Sequence, residues 1–343
     1  MTEKQLSATE QLMEQEADSL ARAAIGAPKQ PRSSLGRRVR STVSAYGFLL
    51  PAIALVITFF IIPGILLIIL SFTNLSSANF TEPWEFIGFA NFERLFTDPF
   101  FPKILRNTVF YVFTTLIFFN LGLALVLALV TTNIPRRRGF FFRLVWLLPR
   151  LTPSVVYILM WKRIGSADPF GIYNQFMPEV LGASGGNLFL GGAPWAFVIL
   201  TNGFVGASFG MIIFTSALMS IPEDLITAAK VDGASTWRII RDIKLPLIKW
   251  PLLFIATYQT LSLLTSFEYI LLLTEGGPGL FTTEVWALTA YKRAFSSYFG
   301  NSQWAFGATW AIVLVAVALV MAVLYVKIFK FNELVEEPRI ENL

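Results

Sequence analysis

The residues best suited to bind a ligand are polar side chains inside apolar segments. Between positions 251 and 274, Gln259, Ser262, Ser266 and Tyr269 recur at intervals of three or four, which places them on one helix face. Polar groups in an apolar membrane segment are costly unless they face a cavity or a partner helix. Such amides and hydroxyls suit the hydroxyl groups of a sugar. Packing between helices is the alternative, because the same side chains also bridge membrane helices.

A second polar position lies in the stretch TNGFVGASFG, where Asn202 and Gly206 are one turn apart on a shared helix face. The chain contains no His and no Cys. This absence excludes thiol nucleophiles, imidazole bases and nearly every zinc or haem arrangement. We therefore expect binding rather than catalysis, with no catalytic residue and no metal site.

The composition indicates a membrane protein. Of 343 residues, 55% are hydrophobic and 14% are charged, whereas soluble domains are about a quarter charged. A membrane-spanning helix needs about 20 apolar residues, and helices satisfy their own backbone hydrogen bonds in lipid. The sequence therefore predicts an all-α integral membrane protein with six transmembrane helices. The predicted spans run approximately over Ala45 to Phe72, Leu105 to Thr131, Phe142 to Trp161, Pro194 to Met219, Pro251 to Thr274 and Ala305 to Ile328.

Lys and Arg residues set the orientation of the predicted spans. With both termini in the cytoplasm, the inner flanks hold 14 basic residues and the outer loops hold 7, which is the bias that the positive-inside rule expects. The basic residues cluster beside apolar runs and form no single stripe, so they indicate a lipid bilayer rather than nucleic acid. This orientation gives a polar cytoplasmic tail at 1–40, a membrane domain at 41–332 and a cytoplasmic tail at 333–343.

A polar segment separates the fourth and fifth predicted spans on the cytoplasmic face. Ser220 and Glu223 have the spacing of a capping box, which predicts the start of a short helix. Gly233 can adopt the left-handed conformation that ends it, and Ser235 can cap a second helix that Pro246 would stop. The segment is predicted to form a helix-turn-helix, with an amphipathic loop resting on lipid as the alternative.

The same segment, at about 220–248, resembles the EAA motif of permease subunits of ABC importers. That motif reads EAA, three residues, Gly, nine residues and I-x-L-P, and the matching positions are Thr227, Ala228, Ala229, Gly233, Ile243, Leu245 and Pro246. Thr227 stands where the family usually has Glu. Four further stretches, LLPAIALVITFFIIPGILLIILSF, FIGFANFERLFTDPFF, RRRGFFFRLVWLLP and LLLTEGGPGLFTTEVWALTAYKRAF, resemble the carbohydrate-uptake branch, which includes the larger maltose-transporter permease.

The resemblance implies the type I ABC importer permease fold, with a cytoplasmic coupling-helix loop that docks on an ATPase. The implied substrate is a sugar, oligosaccharide or related polyol, carried across a prokaryotic inner membrane. The implied partners are a second homologous permease, two copies of a cytoplasmic ABC ATPase and an extracytoplasmic solute-binding protein. ATP and Mg²⁺ would bind in the ATPase, since this chain has no GxxxxGK[ST] phosphate loop, and no cofactor is expected on the chain itself.

The expected substrate-binding residues are Asn202, Gly206, Gln259, Ser262 and Ser266. All but Ser262 fall, by register with the motifs, where the similar maltose subunit contacts its sugar.

Two charged residues inside predicted spans are assigned to opposite leaflets. Glu268 lies toward the outer end of the fifth span, where a structural or gating role is as fitting as ligand contact. Arg150 lies about two turns inside the third span, and we expect its side chain to extend toward the cytoplasm.

Other functions remain open. They are an ABC permease for another small solute, such as glycerol phosphate, a peptide or an amino acid, and a secondary transporter that needs no ATPase. A membrane-embedded enzyme would need a cluster of Asp, His or Cys near one face, and a chain without His and Cys offers few residues for such a cluster.

Overall fold

The computed structural model describes residues 15–16, 49–167, 169, 171–172, 193–296 and 300–329. In these residues the regular structure is helical, apart from one isolated antiparallel bridge between Thr73 and Phe86, so the all-α prediction is confirmed. The principal helices are α1 (Leu49–Ser71), α2 (Ala90–Thr97), α3 (Phe101–Thr132), α4 (Arg136–Leu151), α5 (Ser154–Ile164), α6 (Pro194–Met219), α7 (Glu223–Val231), α8 (Thr236–Leu247), α9 (Lys249–Thr265), α10 (Glu268–Leu273), α11 (Trp286–Phe295) and α12 (Trp304–Ile328).

The chain divides into two compact units, Met1–Pro63 and Gly64–Leu343. The second unit contains α2 to α12 and three clusters of buried apolar side chains. The predicted polar tails at 1–40 and 333–343 lie outside the described residues, apart from Gln15 and Glu16.

In the part of the chain that the structure describes, four helices are long and apolar enough to cross a membrane, namely α1, α3, α6 and α12. Two bent pairs, α4 with α5 and α8 with α9, raise the number to as many as six if each pair is one span. The fourth predicted span coincides with α6, and the first, second and sixth agree closely with α1, α3 and α12. The third and fifth predicted spans are wrong as single helices.

The third predicted span breaks between α4 and α5. Thr152 has the extended conformation, with φ −83° and ψ 141°, and the two helices bend by 98°. Pro153 explains the break, because the residue before a proline is disfavoured in the helical region. Hydropathy alone does not reveal it, since the chain is apolar on both sides.

The fifth predicted span breaks between α9 and α10. Ser266 follows the last residue of α9 and has φ −76° and ψ 119°, outside the helical region. The start of α9 is also bent, by 68° relative to α8. Because α5 packs against α10, the breaks in the two predicted spans lie close to each other.

Glycines allow α6 to pack closely against the π-helical stretch of α3 at Thr115–Leu123. A Cβ at Gly210 would lie 2.6 Å from the backbone oxygen of Asn120 and 2.8 Å from the Cβ of Ala124. A Cβ added at Gly203 or Gly206 would lie still closer to a side chain of α3. Backbone atoms move less readily than side-chain tips, so among these three glycines of α6 a larger residue is least tolerated at Gly210.

We expect Gly210→Ala to destabilise the protein by about 1–3 kcal/mol, the usual range for overpacking a close helix contact. The matched control is Gly64→Ala, because a Cβ at Gly64 meets nothing within 4 Å and Ala has the higher helix propensity. Melting temperatures of the two purified variants in detergent would be compared with wild type. Equal melting temperatures for Gly210→Ala and wild type would contradict the packing argument.

Candidate functional site

A cavity of about 310 Å³ opens beside the two helix breaks. Its lining combines hydroxyl, amide and aromatic groups with one guanidinium, and comes from α4, α5, α6, α9 and α10 and the residues between them. The lining residues are Arg150, Thr152, Ser154, Tyr157, Asn202, Val205, Gly206, Tyr258, Gln259, Ser262, Leu263, Ser266 and Tyr269. All five residues predicted to bind substrate are among them, so the structure brings them together around one space.

Hydrogen bonds fix the orientation of several cavity side chains. Asn202 Nδ2 donates to the hydroxyl of Tyr111, which lies 3.4 Å from Ser266 Oγ. Gln259 Nε2 donates to the backbone oxygen of Gly206 at 3.2 Å. Asn202 and Gln259 are buried, whereas Ser262 is exposed. Hydrogen bonds between helices therefore hold polar groups of α6 and α9 in position. Ligand recognition requires such fixed groups, and packing between helices would produce the same bonds.

The cavity includes three tyrosines that were not among the five residues expected to bind substrate. Tyr157 and Tyr269 come from α5 and α10, and their hydroxyls share a hydrogen bond. Tyr258 projects from α9 and its ring centroid is 5.0 Å from that of Phe209. Aromatic rings beside hydroxyls and amides give a surface that can both stack against a ring and bond its substituents. The spacing of polar residues along the predicted fifth span had already indicated Tyr269, whereas no local pattern links Tyr157 to it.

Arg150 and Glu268 both lie near the break between α4 and α5. The guanidinium of Arg150 lines the cavity and lies 5.1 Å from the centroid of the Phe209 ring. Ser154, four residues after Arg150, donates from Oγ to Glu268 Oε2 at 2.9 Å. The 98° bend contributes to this arrangement, because α5 packs against α10. The predictions that the Arg150 side chain extends toward the cytoplasm and that the two charges lie in opposite leaflets stay predictions.

The polar segment at about 220–248 forms the predicted helix-turn-helix from α7 and α8. Gly233 has φ +76°, and the backbone nitrogen of Ala234 donates to the Ala229 oxygen at 2.9 Å, which is the bond that closes a helix with a left-handed residue. Ser235 caps α8 by accepting a hydrogen bond from the backbone nitrogen of Arg238 at 3.3 Å. The turn is thus specified by Gly233 and Ser235, as predicted.

Two details of that segment differ from prediction. Ser220 does not cap α7, because it ends α6 and its hydroxyl donates to the Ala217 oxygen at 2.8 Å. Pro246 does not stop α8, which continues to Leu247 before the bend at Ile248. Proline near the start of a new helical turn lacks only a donor that would go unpaired there.

The residues of the EAA-like motif fall into an exposed part and an anchored part. Thr227, Ala228 and Gly233 are exposed, and the neighbouring Val231 and Trp237 are 83% and 68% exposed. In the anchored part, Ile243 and Leu245 are partly buried, and Leu245 packs against a core cluster that includes Ile248 and Ile255. Of the two remaining motif residues, Ala229 is partly buried and Pro246 is exposed. The segment therefore presents an apolar tip away from the body of the chain and is fixed to it at the other end.

The comparison with known families and relatives agrees with the motifs. The family of binding-protein-dependent transport system inner membrane components matches residues 120–331. SmoG, the sulfoquinovosyl glycerol transport system permease protein of Agrobacterium fabrum, is 30% identical over 290 residues, which cover 83% of this chain and 90% of the relative. MalF, the trehalose/maltose transport system permease protein of Thermococcus litoralis, is 26% identical over 297 residues, covering 86% and 96%.

The fold has close counterparts among solved structures. A chain of a bacterial ABC transporter involved in the import of the acidic polysaccharide alginate superposes with a TM-score of 0.71 at 23% identity, covering 86% of this chain and 97% of that one. A chain of the alginate transporter in complex with a pentasaccharide-bound periplasmic protein gives the same score. The prediction of the type I ABC importer permease fold is thereby confirmed. From the match over 120–331, the relatives and the fold together, this chain belongs to the family of binding-protein-dependent transport system inner membrane components.

Proposed function

We propose that this chain is a permease subunit of an ATP-driven importer for a sugar, oligosaccharide or related polyol, and that it forms half of the translocation pathway. Permeases named for sulfoquinovosyl glycerol, diacetylchitobiose, lactose and trehalose or maltose are among its relatives. The polar and aromatic cavity fits such solutes, because hydroxyl-rich ligands need donors and acceptors beside aromatic walls. ATP hydrolysis takes place in a partner subunit, and no catalytic residue is assigned to this chain.

The observation that carries the proposal is the direct connection between the exposed helix-turn-helix and the cavity. The loop helix α8 runs into α9 at Ile248, which is 1% exposed and packed in a core cluster. Helix α9 then carries Gln259 and Ser262 to the cavity wall. Closely packed elements move together rather than deform, so a displacement of the loop by an ATPase would reach the cavity through α9.

The proposed assembly contains a second homologous permease, two copies of a cytoplasmic ABC ATPase with ATP and Mg²⁺, and an extracytoplasmic solute-binding protein. Both termini of this chain lie in the cytoplasm in the proposed orientation. Docking of the loaded binding protein and closure of the ATPases favour an outward-facing state, and hydrolysis restores the inward-facing one. Each ligand acts only through its different affinity for the two states.

The test is purification of the chain from its native membrane, followed by reconstitution of the complex in liposomes. We expect an ABC ATPase and a second permease to co-purify, and ATP hydrolysis to rise when the saccharide-loaded binding protein is added. Solute uptake in liposomes without ATP or ATPase would overturn the proposal in favour of a secondary transporter. Stimulation by a peptide-loaded or amino-acid-loaded binding protein alone would overturn the saccharide assignment.

The cavity wall gives a prediction about transport. We expect Gln259→Leu to lower the rate of saccharide uptake about twofold to tenfold, because it removes an amide that can bond a sugar hydroxyl and each such bond contributes roughly 0.5–1.5 kcal/mol. The control is Thr257→Val on the same helix, since the Thr257 hydroxyl bonds the Leu253 oxygen at 2.9 Å and does not line the cavity. Initial uptake rates would be measured in proteoliposomes. Equal rates for the two variants would remove Gln259 from the pathway.

A further inference from the structure

We propose that Arg150 determines the substrate specificity of the cavity, and that the substrate is a saccharide carrying a carboxylate, sulfonate or phosphate group. The inference rests on the proposed function and adds a charge requirement to it. Arg150 is the only charged side chain among the thirteen lining residues that the described part of the chain supplies. A cavity with one cation and many neutral polar groups is complementary to an anionic ligand rich in hydroxyls.

The charge of Arg150 is not neutralised inside the protein. Within residues 49–167 and 193–329, leaving aside the short stretches not described, Arg150 forms no ion pair with a carboxylate. Its guanidinium faces the ring of Phe209 at 5.1 Å, a contact that orients the group and leaves its N–H donors directed elsewhere. Arg150 is exposed where it borders the cavity, so its guanidinium is accessible to a ligand anion, and hydrogen bonds between a guanidinium and an anion are stronger than those between neutral groups.

The position of Arg150 on α4 explains how the chain tolerates this charge without a ligand. Arg150 lies in the last turn of α4, where the unpaired carbonyl groups of a helix end favour a positive charge. This favourable interaction with the helix end is small, and it leaves the N–H groups of the guanidinium available to a ligand. The break after Leu151 then exposes the group to the cavity rather than burying it against α5.

The carboxylate of Glu268, near the same helix break, has a different role. Glu268 is the first residue of α10 and accepts a hydrogen bond at 2.9 Å from Ser154, the first residue of α5. Negative charge is favourable at helix N-termini, so Glu268 serves two helix ends at once. Glu268 does not line the cavity. Its charge therefore holds the two broken helices together and leaves Arg150 as the group that meets the ligand.

The remaining lining residues fit the rest of such a ligand. Tyr258 lines the cavity, and its ring packs against Phe209, which also contacts Arg150; a sugar ring can stack on such an aromatic side chain. Asn202, Gln259 and Ser262 lie on the adjoining side of the same cavity. A guanidinium binds a planar carboxylate with two parallel hydrogen bonds, and lysine cannot reproduce that geometry. The arrangement therefore distinguishes an acidic sugar from its neutral counterpart.

The experiment measures uptake in proteoliposomes that contain the complete complex with its own binding protein. The probes are three pairs of radiolabelled disaccharides, and the members of each pair differ only by one carboxylate, sulfonate or phosphate group. Wild type, Arg150→Gln and Arg150→Lys are compared. The control is Arg137→Gln, an exposed arginine at the other end of α4. Because every variant uses the same binding protein, that protein's own preference cancels when the ratio of anionic to neutral uptake is compared between variants.

We expect wild type to take up the anionic member of at least one pair preferentially. Arg150→Gln should lower that ratio about tenfold or more, since hydrogen bonds to charged groups contribute roughly 1.5–3 kcal/mol, while uptake of the neutral member persists. Arg150→Lys should give an intermediate ratio, and Arg137→Gln should leave it unchanged. Preferential uptake of neutral members by wild type, or an equal loss of both members in Arg150→Gln, would overturn the inference and leave the proposed function standing. Uptake of no saccharide at all would overturn both.

Discussion

Replacing Gly233 with Asp is expected to abolish the stimulation of ATP hydrolysis by the loaded binding protein. Gly233 lies at the exposed tip between α7 and α8 with φ +76°, and a Cβ added there meets no neighbouring atom. An Asp side chain therefore fits within the chain, at a backbone cost of about 1–2 kcal/mol for the left-handed conformation. At a partner surface, the added carboxylate would be desolvated beside the apolar tip formed by Val231 and Trp237, which weakens docking strongly.

The matched control for this change is Gly233→Ala, which imposes a similar left-handed backbone strain at the same position, with open space around the added Cβ and without a charge. We expect Gly233→Ala to assemble and to retain stimulation, and Gly233→Asp to lose it while its melting temperature stays near that of the control. ATPase assays on the reconstituted complexes would measure this. Retained stimulation in Gly233→Asp would show that the helix-turn-helix only rests on lipid.

The helices that sequence predicted well are those whose signals are local. Helix α6 has a continuous apolar run that starts with Pro194 in its first turn, and both bounds were predicted. Gly233 and Ser235 specify the turn between α7 and α8 through backbone conformation and capping, which depend on neighbouring residues only. Ser220 misled the prediction because α6 continues to Met219 and uses that serine at its own end.

The broken spans show where local signals are insufficient. The first break can be read from Pro153, whose effect on Thr152 is steric. The second break, at Ser266, has no proline or glycine beside it. It coincides with contacts made from distant parts of the chain, namely Tyr111 to Ser266 and Ser154 to Glu268. Periodicity cannot show a break of this kind, because the apolar composition continues through it.

The difference between local signals and long-range contacts also explains which residues of the candidate site could be predicted. Gln259 and Ser262 were found by their spacing because α9 is regular as far as Thr265, and Ser266 follows it directly. Arg150 and Tyr157 were missed because the bend between α4 and α5 brings them to the cavity from another part of the chain. Residues that share one helix can thus be assembled from sequence, whereas those that meet across two broken helices require the three-dimensional fold.

The loop that contains Gly276, Gly277 and Pro278 surrounds a buried ion pair, and this pair supports a second prediction of large effect. Lys292 Nζ lies 2.7 Å from Glu284 Oε2, with side-chain exposures of 16% and 2%. The same ammonium donates to the Glu275 oxygen at 2.7 Å, and Thr289 Oγ1 donates to Glu284 Oε1 at 3.2 Å. Gly276 adopts φ +83° directly against the carboxylate. Removing the lysine would therefore leave a buried negative charge with little compensation.

We expect Lys292→Met to destabilise the protein by about 3–5 kcal/mol at neutral pH, as is usual when one partner of a buried pair is removed. Burial raises the pKa of Glu284 above its ordinary value of 4.5, and Lys292 opposes that rise. A raised pKa means that protonation favours the folded state. Its stabilising contribution is complete below about pH 4.5 and is lost as pH rises through the raised pKa. Without Lys292 the pKa of Glu284 rises further, so the destabilisation of Lys292→Met should shrink on acidification.

Melting temperatures of wild type, Lys292→Met and the double variant Lys292→Met/Glu284→Gln, each at neutral and acidic pH, would test this. The double variant should recover much of the loss at neutral pH, because no buried charge remains, and should depend less on pH than the single variant. Lys103→Met is the control, since Lys103 bonds the Leu280 oxygen at 2.7 Å in an exposed contact and shields no carboxylate. A loss in Lys292→Met that is equal at both pH values and persists in the double variant would mean that Lys292 stabilises the loop through the Glu275 carbonyl rather than by neutralising Glu284.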